Sequence, residues 1–587
     1  MARAHIRWIS GPVLRARATG PFALREAVRI GPQALLGEVV RLAGDDVIVQ
    51  VYEDTTGLRP GAEVVGDGTP LAIPLGPGLL GNIFDGLLRP LSNTGDHVAP
   101  GMRRAAPGLF EFTPSLRAGD SVSGGAIVGD VVGTSGRAQR CLVPPTLPGT
   151  VATIVPSGTY AEDAPLLTLR DARGQLHPVA MVHAWPVREP RPVRARLPAT
   201  APLVTGQRIL DSLFPVAKGG KAAIPGGFGT GKTVLLEALA KGCDADVIVY
   251  LGCGERGNEL AGVLEEFPTL TDPASGRPLM ERTVIIANTS NMPVAAREAS
   301  IYSAVTVAEY FRDQGLAVAL MADSTSRWAE ALREVSGRFG ELPGEGGYPA
   351  YLSSRLADFY ERAAIVDTLG GDTGSVTVIG AISPPSGDFS EPVTSHTKRY
   401  VKAYWTLDVK RAQARFYPAV HPLQSYAEDA QTFVPWWAEH GAAEWWKLRR
   451  RFLTLLDEQA HLERMARIIG KDALPVRQQM TLFCADLVND AFLRQSAFSP
   501  VDRVCSPARQ ALMMRLLAKV VDAAEAAVDA GVHPDDLRAL PSLRALIRMG
   551  EEIGDDALAR FHDLEARLDR ELAAVVRQEG AAHAAVG

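Results

Sequence analysis

The stretch "PGGFGTGKTVLL", residues 225–236, sets the architecture of the middle of the chain. Gly226, Gly231, Lys232 and Thr233 match the pattern G-x4-G-K-[ST] of a phosphate-binding loop. Glycines allow backbone angles that aim consecutive N–H groups inward, where side chains would block a phosphate. A helix beginning at the lysine would add the partial positive charge of its N-terminus. Because chance produces the pattern in such a chain roughly 2% of the time, it predicts nucleotide binding.

Two polar residues of this loop are predicted to contact the nucleotide or its metal ion. Lys232 can reach the β- and γ-phosphates of a nucleotide, and the Thr233 hydroxyl can ligate Mg²⁺ directly. The remaining contacts are expected from backbone N–H groups and from the first turn of the helix. The predicted nucleotide-binding residues here are Gly226, Gly227, Phe228, Gly229, Thr230, Gly231, Lys232, Thr233 and Val234.

Short apolar runs alternate with helical patterns around and after the loop. "KAAIP" precedes the loop, and "VIVYLG", "TVIIAN", "LAVALMA" and "SVTVIGAI" follow it, with helical segments such as "PVAAREASIYSAVTVAEYFRDQG" between them. Wholly apolar strands that alternate with helices indicate a parallel sheet covered on both faces. A sheet of this kind presents its ligand at the carboxyl ends of its strands.

Glu255 and Arg256 follow the strand "VIVYLG", within "GCGERGNE". At the end of a parallel strand, a carboxylate can polarise an attacking water, and an adjacent arginine can stabilise developing charge. A Glu-Arg pair in an arbitrary position is more often a surface salt bridge. The position after this strand and this loop favours the catalytic interpretation.

Asp323 ends the apolar strand "LAVALMA". An aspartate in this position of a P-loop protein holds Mg²⁺ through water, and capping of the next helix by "DSTS" is an alternative compatible with it. Arg327, four residues on, is predicted to return toward the phosphates. Phosphate loop, metal carboxylate and water-orienting carboxylate together predict an ATPase site with ATP or ADP as ligand and Mg²⁺ as cofactor.

The flanking regions predict a multidomain α/β protein. Short strands such as "DDVIVQVYED" indicate an N-terminal β-barrel over residues 1–70, followed by a connecting segment, 71–115. Residues 116–188 indicate an inserted β-rich module, and residues 189–435 the P-loop parallel α/β domain. Residues 436–587 indicate a C-terminal helical domain. Its predicted core stripe contains Leu512, Leu516, Leu517, Val520 and Val521, with Phe561, Leu564 and Leu568 near the end.

The composition argues against several classes of protein. The 587 residues carry a formal net charge of −6, whereas a nucleic-acid-binding protein usually shows a basic domain or stripe. Five cysteines without metal-ligand spacing predict a reducing compartment. The start "MARAHIRWIS" lacks the apolar core of a signal peptide, and there is no run of 18 apolar residues. Any membrane association is therefore expected to come through partners.

Several long motifs resemble the nucleotide-binding subunits of rotary ATPases. They are "AIPGGFGTGKT", "GCGERGNE", "MADSTSRWAEALREVSGRFGELPGEGGYPAYLSSRLADFYERA" and "YPAVHPLQSYA", with "VQVYEDTTGLRPG", "GNIFDGLLRPL" and "TGQRILDSLFPVAKGGKAAIPG" upstream. In these families the β subunit of F-type ATP synthase lacks the insertion at 116–188, and the B subunit of the vacuolar type lacks a working P-loop. The chain is thus most similar to the catalytic A (alpha) subunit of vacuolar/archaeal-type enzymes, including those of bacteria.

The resemblance implies a RecA-like nucleotide-binding domain and a hexameric ring in which A and B subunits alternate. Central-stalk and peripheral-stalk subunits would connect the ring to a membrane sector that moves protons or sodium ions, and no nucleic acid would take part. The chain would be a peripheral subunit on the cytoplasmic side of the cell membrane that hydrolyses or synthesises ATP. An arginine finger would enter the site from the neighbouring B subunit.

The resemblance also implies roles for individual side chains. It makes Glu255 the water-orienting base and places Arg256 and Arg327 near the γ-phosphate. Two aromatic residues, Tyr417 before "PAV" and Phe498 in "RQSAF", would lie against the adenine, with ordinary hydrophobic packing as the alternative.

The sequence departs from the family pattern at several positions, one of them the dipeptide "HP" in "PAVHPLQSYA", where relatives more commonly have "NW". Gly227 stands where relatives often have proline, and Thr230 where some eukaryotic relatives have cysteine, so redox control through that residue is not expected. Ala427 replaces the usual serine at the end of "PAVHPLQSYA". We expect the phosphate chemistry to be unaffected.

Other functions are compatible with a P-loop α/β core. One is a non-catalytic nucleotide-binding member of the ring, against which Lys232 and Glu255 argue. A second is a RecA-like hexameric motor acting on nucleic acid, which would need a basic channel and exposed aromatic residues. A third is the ATPase of a secretion or flagellar export apparatus, whose chains are shorter and lack the insertion.

Overall fold

The computed structural model describes residues 2–91, 107–133, 136–273 and 275–586. Among these, no helix has both the length and the apolar character that crossing a membrane requires. The chain forms two compact units. Unit 1 comprises Met1–Pro198, Lys218–Ala223 and Ala245–Val401, and unit 2 comprises Ala199–Ala217, Ile224–Asp244 and Lys402–Gly587.

The strands lie mainly in unit 1. They are β1 Arg3–Ser10, β2 Val13–Ala18, β3 Glu26–Ile30, β4 Leu35–Ala43, β5 Asp46–Val51, β6 Glu63–Pro70, β7 Ala72–Leu75, β8 Ile83–Phe84, β9 Leu109–Pro114, β10 Ser121–Val122, β11 Ile127–Val132, β12 Ala138–Leu142, β13 Gly149–Ile154, β14 Gly158–Ala161, β15 Leu167–Arg170, β16 Leu176–Val179, β17 His183–Pro186, β18 Ala195–Leu197, β19 Lys221–Pro225, β20 Val247–Glu255, β21 Thr283–Thr289, β22 Ala317–Asp323, β23 Ala364–Asp367, β24 Thr373–Ile382, β25 Ala403–Tyr404 and β26 Tyr426–Ala427.

The longest helices lie toward the C-terminus. The α-helices are α1 Lys232–Gly242, α2 Gly257–Glu266, α3 Val294–Arg312, α4 Thr325–Arg338, α5 Leu352–Tyr360, α6 Pro392–Thr397, α7 Val409–Gln413, α8 Val434–Glu439, α9 Trp445–Ile469, α10 Val476–Val488, α11 Pro507–Ala527, α12 Pro534–Arg538, α13 Pro541–Glu552 and α14 Arg560–Val586.

Strands β1 to β6 close into a barrel in the order β1-β2-β5-β4-β3-β6. Alternate side chains along each strand point inward, as the period of two requires. Residues such as Val28, Val39 and Val49 are fully buried in the barrel core. The expected N-terminal β-barrel is therefore confirmed.

The β-rich module consists of two four-stranded sheets, ordered β10-β13-β15-β16 and β12-β11-β9-β14. Phe112, Val131 and Leu169 belong to one hydrophobic cluster in this module. Strand β9 precedes residue 116 in the chain and pairs with both β11 and β14. The module thus gains a central strand from the segment that sequence analysis treated as a connection, because an isolated apolar hexamer gives no sign of its pairing partner.

The central sheet of unit 1 has the strand order β24-β22-β20-β21-β8, and all these strands run parallel. Helix α3 packs on the sheet and is buried over nearly its whole length. The burial of both the strands and this helix confirms the covered parallel sheet that the apolar runs predict.

Unit 2 contains the P-loop, the helix α1 and the C-terminal helices. On α11, Leu516, Leu517, Val520 and Val521 are buried, as are Phe561, Leu564 and Leu568 on α14. Leu512 is only partly buried. The predicted apolar stripes therefore form helical core, and the C-terminal helical domain is confirmed.

Candidate active site

The phosphate loop lies in unit 2, where it follows strand β19 and leads into helix α1. Gly229 has φ 74° and Gly231, the N-cap of α1, has φ 85°. Side chains rarely adopt these left-handed angles, so the loop needs glycine at both positions. Helix α1 begins at Lys232, and its first N–H groups lack partners within the helix, which makes them available to an anion.

Gly226 is required for a different reason, which is space. A Cβ atom at this residue would lie 2.6 Å from the Thr230 hydroxyl and 2.9 Å from the Cβ of Leu407. The buried Thr230 hydroxyl donates to the Gly227 carbonyl at 2.8 Å. The start of the loop is therefore closely packed, with its shape set by internal contacts.

Lys232 lies back over the loop. Its Nζ donates to the carbonyls of Gly226 at 2.8 Å and Gly227 at 3.2 Å. Phe228 is 87% exposed, and Val234 is half-exposed. The lysine is thus held at the mouth of the loop by two neutral acceptors, which a phosphate could replace.

A cavity of about 880 Å³ opens beside the loop and lies entirely in unit 2. Gly229, Gly231 and Val234 line one side of it, and both predicted aromatic residues, Tyr417 and Phe498, line it too. The other residues of the lining include Arg208, Arg415, Asp490, Arg494, Gln495, Asp502, Ile547, Arg548 and Glu551. Its volume falls in the range of small-molecule sites.

Tyr417 packs close to the loop, because a Cβ at Gly231 would lie 3.4 Å from the tyrosine ring. Phe498 is 94% exposed. An aromatic ring that is solvent-exposed at the edge of a cavity is available for stacking on a base. The structure thus brings these two residues and the phosphate loop to one cavity, and ordinary core packing does not account for Phe498.

The two predicted carboxylates lie at the ends of neighbouring strands in unit 1. Strand β20 ends at Glu255 and β22 ends at Asp323, and the register pairs Gly252 with Asp323. Asp323 is 2% exposed, whereas Glu255 is partly buried. Helix α4 follows with Ser324 as its N-cap residue, so Asp323 does not take the capping position.

The charges of both carboxylates influence the pKa of the nearby Cys253 thiol. Burial raises its pKa to about 12, and the negative charges of Glu255 and Asp323 add to that rise. The thiol is therefore protonated at neutral pH and is no nucleophile. The adjacent strands β20 and β22 end at these two carboxylates and so place both at one edge of the sheet.

The two predicted arginines lie next to this pair. Arg256 is exposed and is the N-cap residue of α2. Arg327, in the first turn of α4, forms an ion pair with Glu330 at 3.0 Å. A Cβ at Gly254, which has φ 72°, would lie 2.8 Å from the Cβ of Arg327. Arg327 therefore packs against the turn that leads into Glu255.

Arg297 is a neighbour that sequence analysis missed. A Cβ at Gly254 would lie 2.9 Å from its Cδ. Its Nη2 donates to the carbonyl of Ser290 at 2.9 Å, and the N–H of Ser290 donates to the carbonyl of Glu255 at 2.9 Å. Its position in the sequence is the signal that could have identified Arg297, because it lies at the start of the helix that follows the adjacent strand β21.

The fold and these residues define a P-loop nucleotide-binding protein. Comparison with protein families gives the same class. The nucleotide-binding domain of the ATP synthase alpha/beta family matches residues 206–427, and the beta-barrel domain of that family matches 6–68. The ATP synthase alpha/beta barrel-sandwich domain matches 105–188, and the C-terminal domain of V and A type ATP synthase matches 435–537.

Curated relatives share about half of the sequence. The A subunit of the A-type ATP synthase of Desulfurococcus sp. (strain SY) is 49% identical over 92% of this chain and 94% of its own length. The V-type ATP synthase alpha chain of Halothermothrix orenii is 48% identical over 97% of this chain and 98% of its own. The chain therefore belongs to the family of A (alpha) subunits of A- and V-type ATP synthases, which confirms the resemblance.

A solved structure supports the fold. The ATPase EscN of the enteropathogenic E. coli type III secretion system is similar to this chain, with a TM-score of 0.62 and 23% sequence identity. The match covers 88% of this chain and 100% of that one. At this identity the likeness concerns the architecture of the chain.

Proposed function

We propose that the glycine loop and Lys232 bind the phosphates of a nucleotide whose base occupies the cavity beside the loop, and that Glu255 and Asp323 are the carboxylates that serve catalysis. As a member of its family, the chain is the ATP-hydrolysing and ATP-synthesising subunit of a rotary ATPase, and it binds ATP and ADP. The observation that carries the proposal is the cavity shared by the glycine loop, Tyr417 and Phe498.

The loop binds the phosphates. The N–H groups at the start of α1 donate to phosphate oxygens, and Lys232 exchanges its bonds to the loop carbonyls for bonds to the β- and γ-phosphates. Gly229 and Gly231 leave the approach to these N–H groups open, since neither carries a side chain. The charge of Lys232 then offsets the charge that builds up on the terminal phosphate.

Glu255 orients the attacking water. Its carboxylate accepts a hydrogen bond from the water and takes its proton as the water oxygen bonds to the γ-phosphorus, while the bond from that phosphorus to the β,γ-bridging oxygen breaks and ADP leaves. Arg256 and Arg327 stabilise the charge on the transferred phosphate. Reversal of these steps makes ATP from ADP and phosphate, so one site serves both directions.

Thr233 and Asp323 would hold Mg²⁺, the first directly and the second through water. Both offer oxygen atoms, the ligands that this hard cation prefers. Thr233 is partly exposed in the first turn of α1, and Asp323 ends β22. When bound, the ion neutralises phosphate charge.

The chain works within a multisubunit complex, as the family requires. We propose that its partners are B subunits alternating with it in a hexamer, together with central-stalk and peripheral-stalk subunits, and no nucleic acid. Through these the chain would drive, or be driven by, proton or sodium transport, as a peripheral subunit on the cytoplasmic side of the membrane. We retain the boundaries at residues 70, 188 and 435 as proposed domain limits and move the start of the inserted module ahead of β9, because β9 pairs with β11 and β14.

The test is turnover by the assembled complex with Glu255→Gln, which keeps the shape of the side chain and removes its charge. We expect the rate to fall by roughly 10²–10⁴-fold, the usual contribution of a general base, while ATP binding is retained. Glu265→Gln, an exposed substitution of the same type on α2, is the matched control and should leave the rate unchanged. Full turnover by the Glu255 variant would instead favour a non-catalytic role in the ring.

A further inference from the structure

Arg208 is a buried arginine at the floor of the cavity in unit 2. It is 1% exposed and lines the cavity together with Gln495 and Asp502. Burying a guanidinium is costly unless its donors and its charge are matched. The hydrogen-bond partners of Arg208 must therefore offset the cost of burying its charge.

The bonds of Arg208 go to one segment of chain, residues 492–502. Its Nε donates to the carbonyl of Phe492 at 2.7 Å, and its Nη2 donates to the carbonyl of Arg494. Its Nη1 forms a buried ion pair with Asp502. Its backbone N–H donates to the side-chain oxygen of Gln495 at 2.8 Å. This segment, which we call the base loop, also contains Phe498.

Asp502 and Gln495 extend the network through the base loop. The Asp502 carboxylate accepts from the N–H of Ser496 at 2.7 Å, and Gln495 Nε2 donates to the carbonyls of Gly206 and Asp502, both at 2.8 Å. The N–H of Gln495 donates to the carbonyl of Tyr417 at 2.9 Å. The network therefore fixes the backbone beside both aromatic residues of the cavity.

The charge of Arg208 is maintained in this setting. Burial alone lowers the pKa of its guanidinium, but Asp502 and Cys505 together outweigh that effect and leave the pKa above its usual value. Helix α13 packs on the same ion pair, since a Cβ at Gly550 would lie 2.9 Å from Asp502 Oδ1 and 3.1 Å from Arg208 Nη2. The pair thus sits between the base loop and α13.

Phe498 cannot hold its own position by packing, because its side chain is 94% exposed. The placement of its ring follows from the backbone of the base loop. We propose that Arg208 is a positioning residue, which orders the base loop and so places Phe498 for stacking on the nucleotide base. This inference rests on the proposed function, because it assumes that the cavity receives the base.

The experiment compares two ligands of the full-length chain, ATP and inorganic tripolyphosphate, which lacks the base and the sugar. Arg208→Lys keeps the charge but loses the forked hydrogen bonds. We expect it to weaken ATP binding about tenfold, the scale of one lost base-stacking contact, and to leave tripolyphosphate binding unchanged. The control is Arg449→Lys. Arg449 is also buried in unit 2, donates to the carbonyl of Leu213 at 2.8 Å and does not line the cavity.

A double-mutant cycle tests whether Arg208 acts through Phe498. In a Phe498→Ala background, Arg208→Lys should cause no further loss of ATP binding, since coupled residues are not additive. An equal loss for both ligands, an unchanged affinity for ATP, or full additivity would overturn the proposal. If Arg208→Lys does not fold, Gln495→Ala must give the same pattern. Wild-type protein that binds neither ligand would refute the proposed function itself.

Discussion

The cavity of unit 2 and the carboxylate pair of unit 1 are built in different ways. Glu255 and Asp323 end adjacent parallel strands whose register fixes them. The cavity is lined by loops and helix ends from distant parts of the sequence, and its exposed Phe498 depends on a buried ion pair beneath it. Sheet hydrogen bonds thus place the groups assigned to chemistry, whereas buried side chains place those assigned to recognition of the base.

Because they are built differently, the two regions should differ in how well they tolerate substitutions. A strand end keeps its position when one neighbouring side chain changes, because many backbone bonds hold it. The base loop is held largely by three buried side chains, those of Arg208, Gln495 and Asp502, so the loss of one of them removes a larger share of its support. We therefore expect substitutions around the base loop to alter nucleotide affinity, and substitutions at the strand ends to alter turnover.

Assembly should have the largest effect. If an arginine from a B subunit completes the site, the rate per catalytic chain should rise by roughly 10³–10⁵ when the ring forms. The measurement is steady-state ATP hydrolysis by the isolated chain and by the assembled ring at equal concentration of this chain. An isolated chain as fast as the complex would show that one chain holds the whole site.

Among the substitutions that alter nucleotide binding, Gly226→Ala in the phosphate loop should have the largest effect. The added Cβ would approach the Thr230 hydroxyl to 2.6 Å, so the backbone must move. Overpacking of this kind costs about 1–3 kcal/mol, which we expect as roughly ten- to hundredfold weaker binding of ATP and of tripolyphosphate alike. Gly262→Ala, where a Cβ meets nothing within 4 Å, is the control. A loss confined to ATP would mean that the loop contacts the base rather than the phosphates.

A further contrast concerns pH, and it has opposite signs in the two units. Burial, with a contribution from Arg191, lowers the pKa of His183 in unit 1 to about 3. The contribution of His183 to the free energy of unfolding is complete above about pH 6.5, the pKa of histidine in the unfolded chain. It is lost as pH falls, by on the order of 3 kcal/mol at pH 4. Burial raises the pKa of Asp211 in unit 2 to about 6, so its contribution is present below pH 4 and is lost as pH rises through 6.

Hydrogen exchange at pH values from 4 to 7 would measure this contrast. Between pH 6.5 and 4 we expect amides near β17 and α3 to lose protection, and those near Asp211 and α11 to gain it. His183→Gln and Asp211→Asn should each reduce the pH dependence of exchange near the substituted residue and leave that of the other unit unchanged. Parallel changes in both units would contradict the assignment to these two groups.

Much of the site could be predicted from the sequence, because its signals are local. Lys232 lies in a contiguous motif, and Glu255 and Asp323 each follow an apolar strand. Tyr417 and Phe498 were accessible through family resemblance alone. Arg208 was not accessible, because its partner Asp502 is remote in sequence and no periodic pattern links them.

The fold, like the site, could be predicted where its sequence signals are local. Alternating apolar strands and helices predict a parallel sheet, since each strand carries its own burial pattern. Strand β9 escaped prediction as part of the inserted module because its assignment depends on pairing with β11 and β14. Local patterns identify elements, while pairing between remote segments needs the three-dimensional structure.

An experimental structure of the assembled complex with Mg²⁺ and a non-hydrolysable ATP analogue would test the proposed roles of Lys232 and Glu255 most directly. We expect Lys232 Nζ on the β- and γ-phosphate oxygens and the Glu255 carboxylate hydrogen-bonded to a water in line with the γ-phosphate. Phosphates bound by the loop at every site of the ring, with Glu255 beyond reach of any such water, would contradict the mechanism.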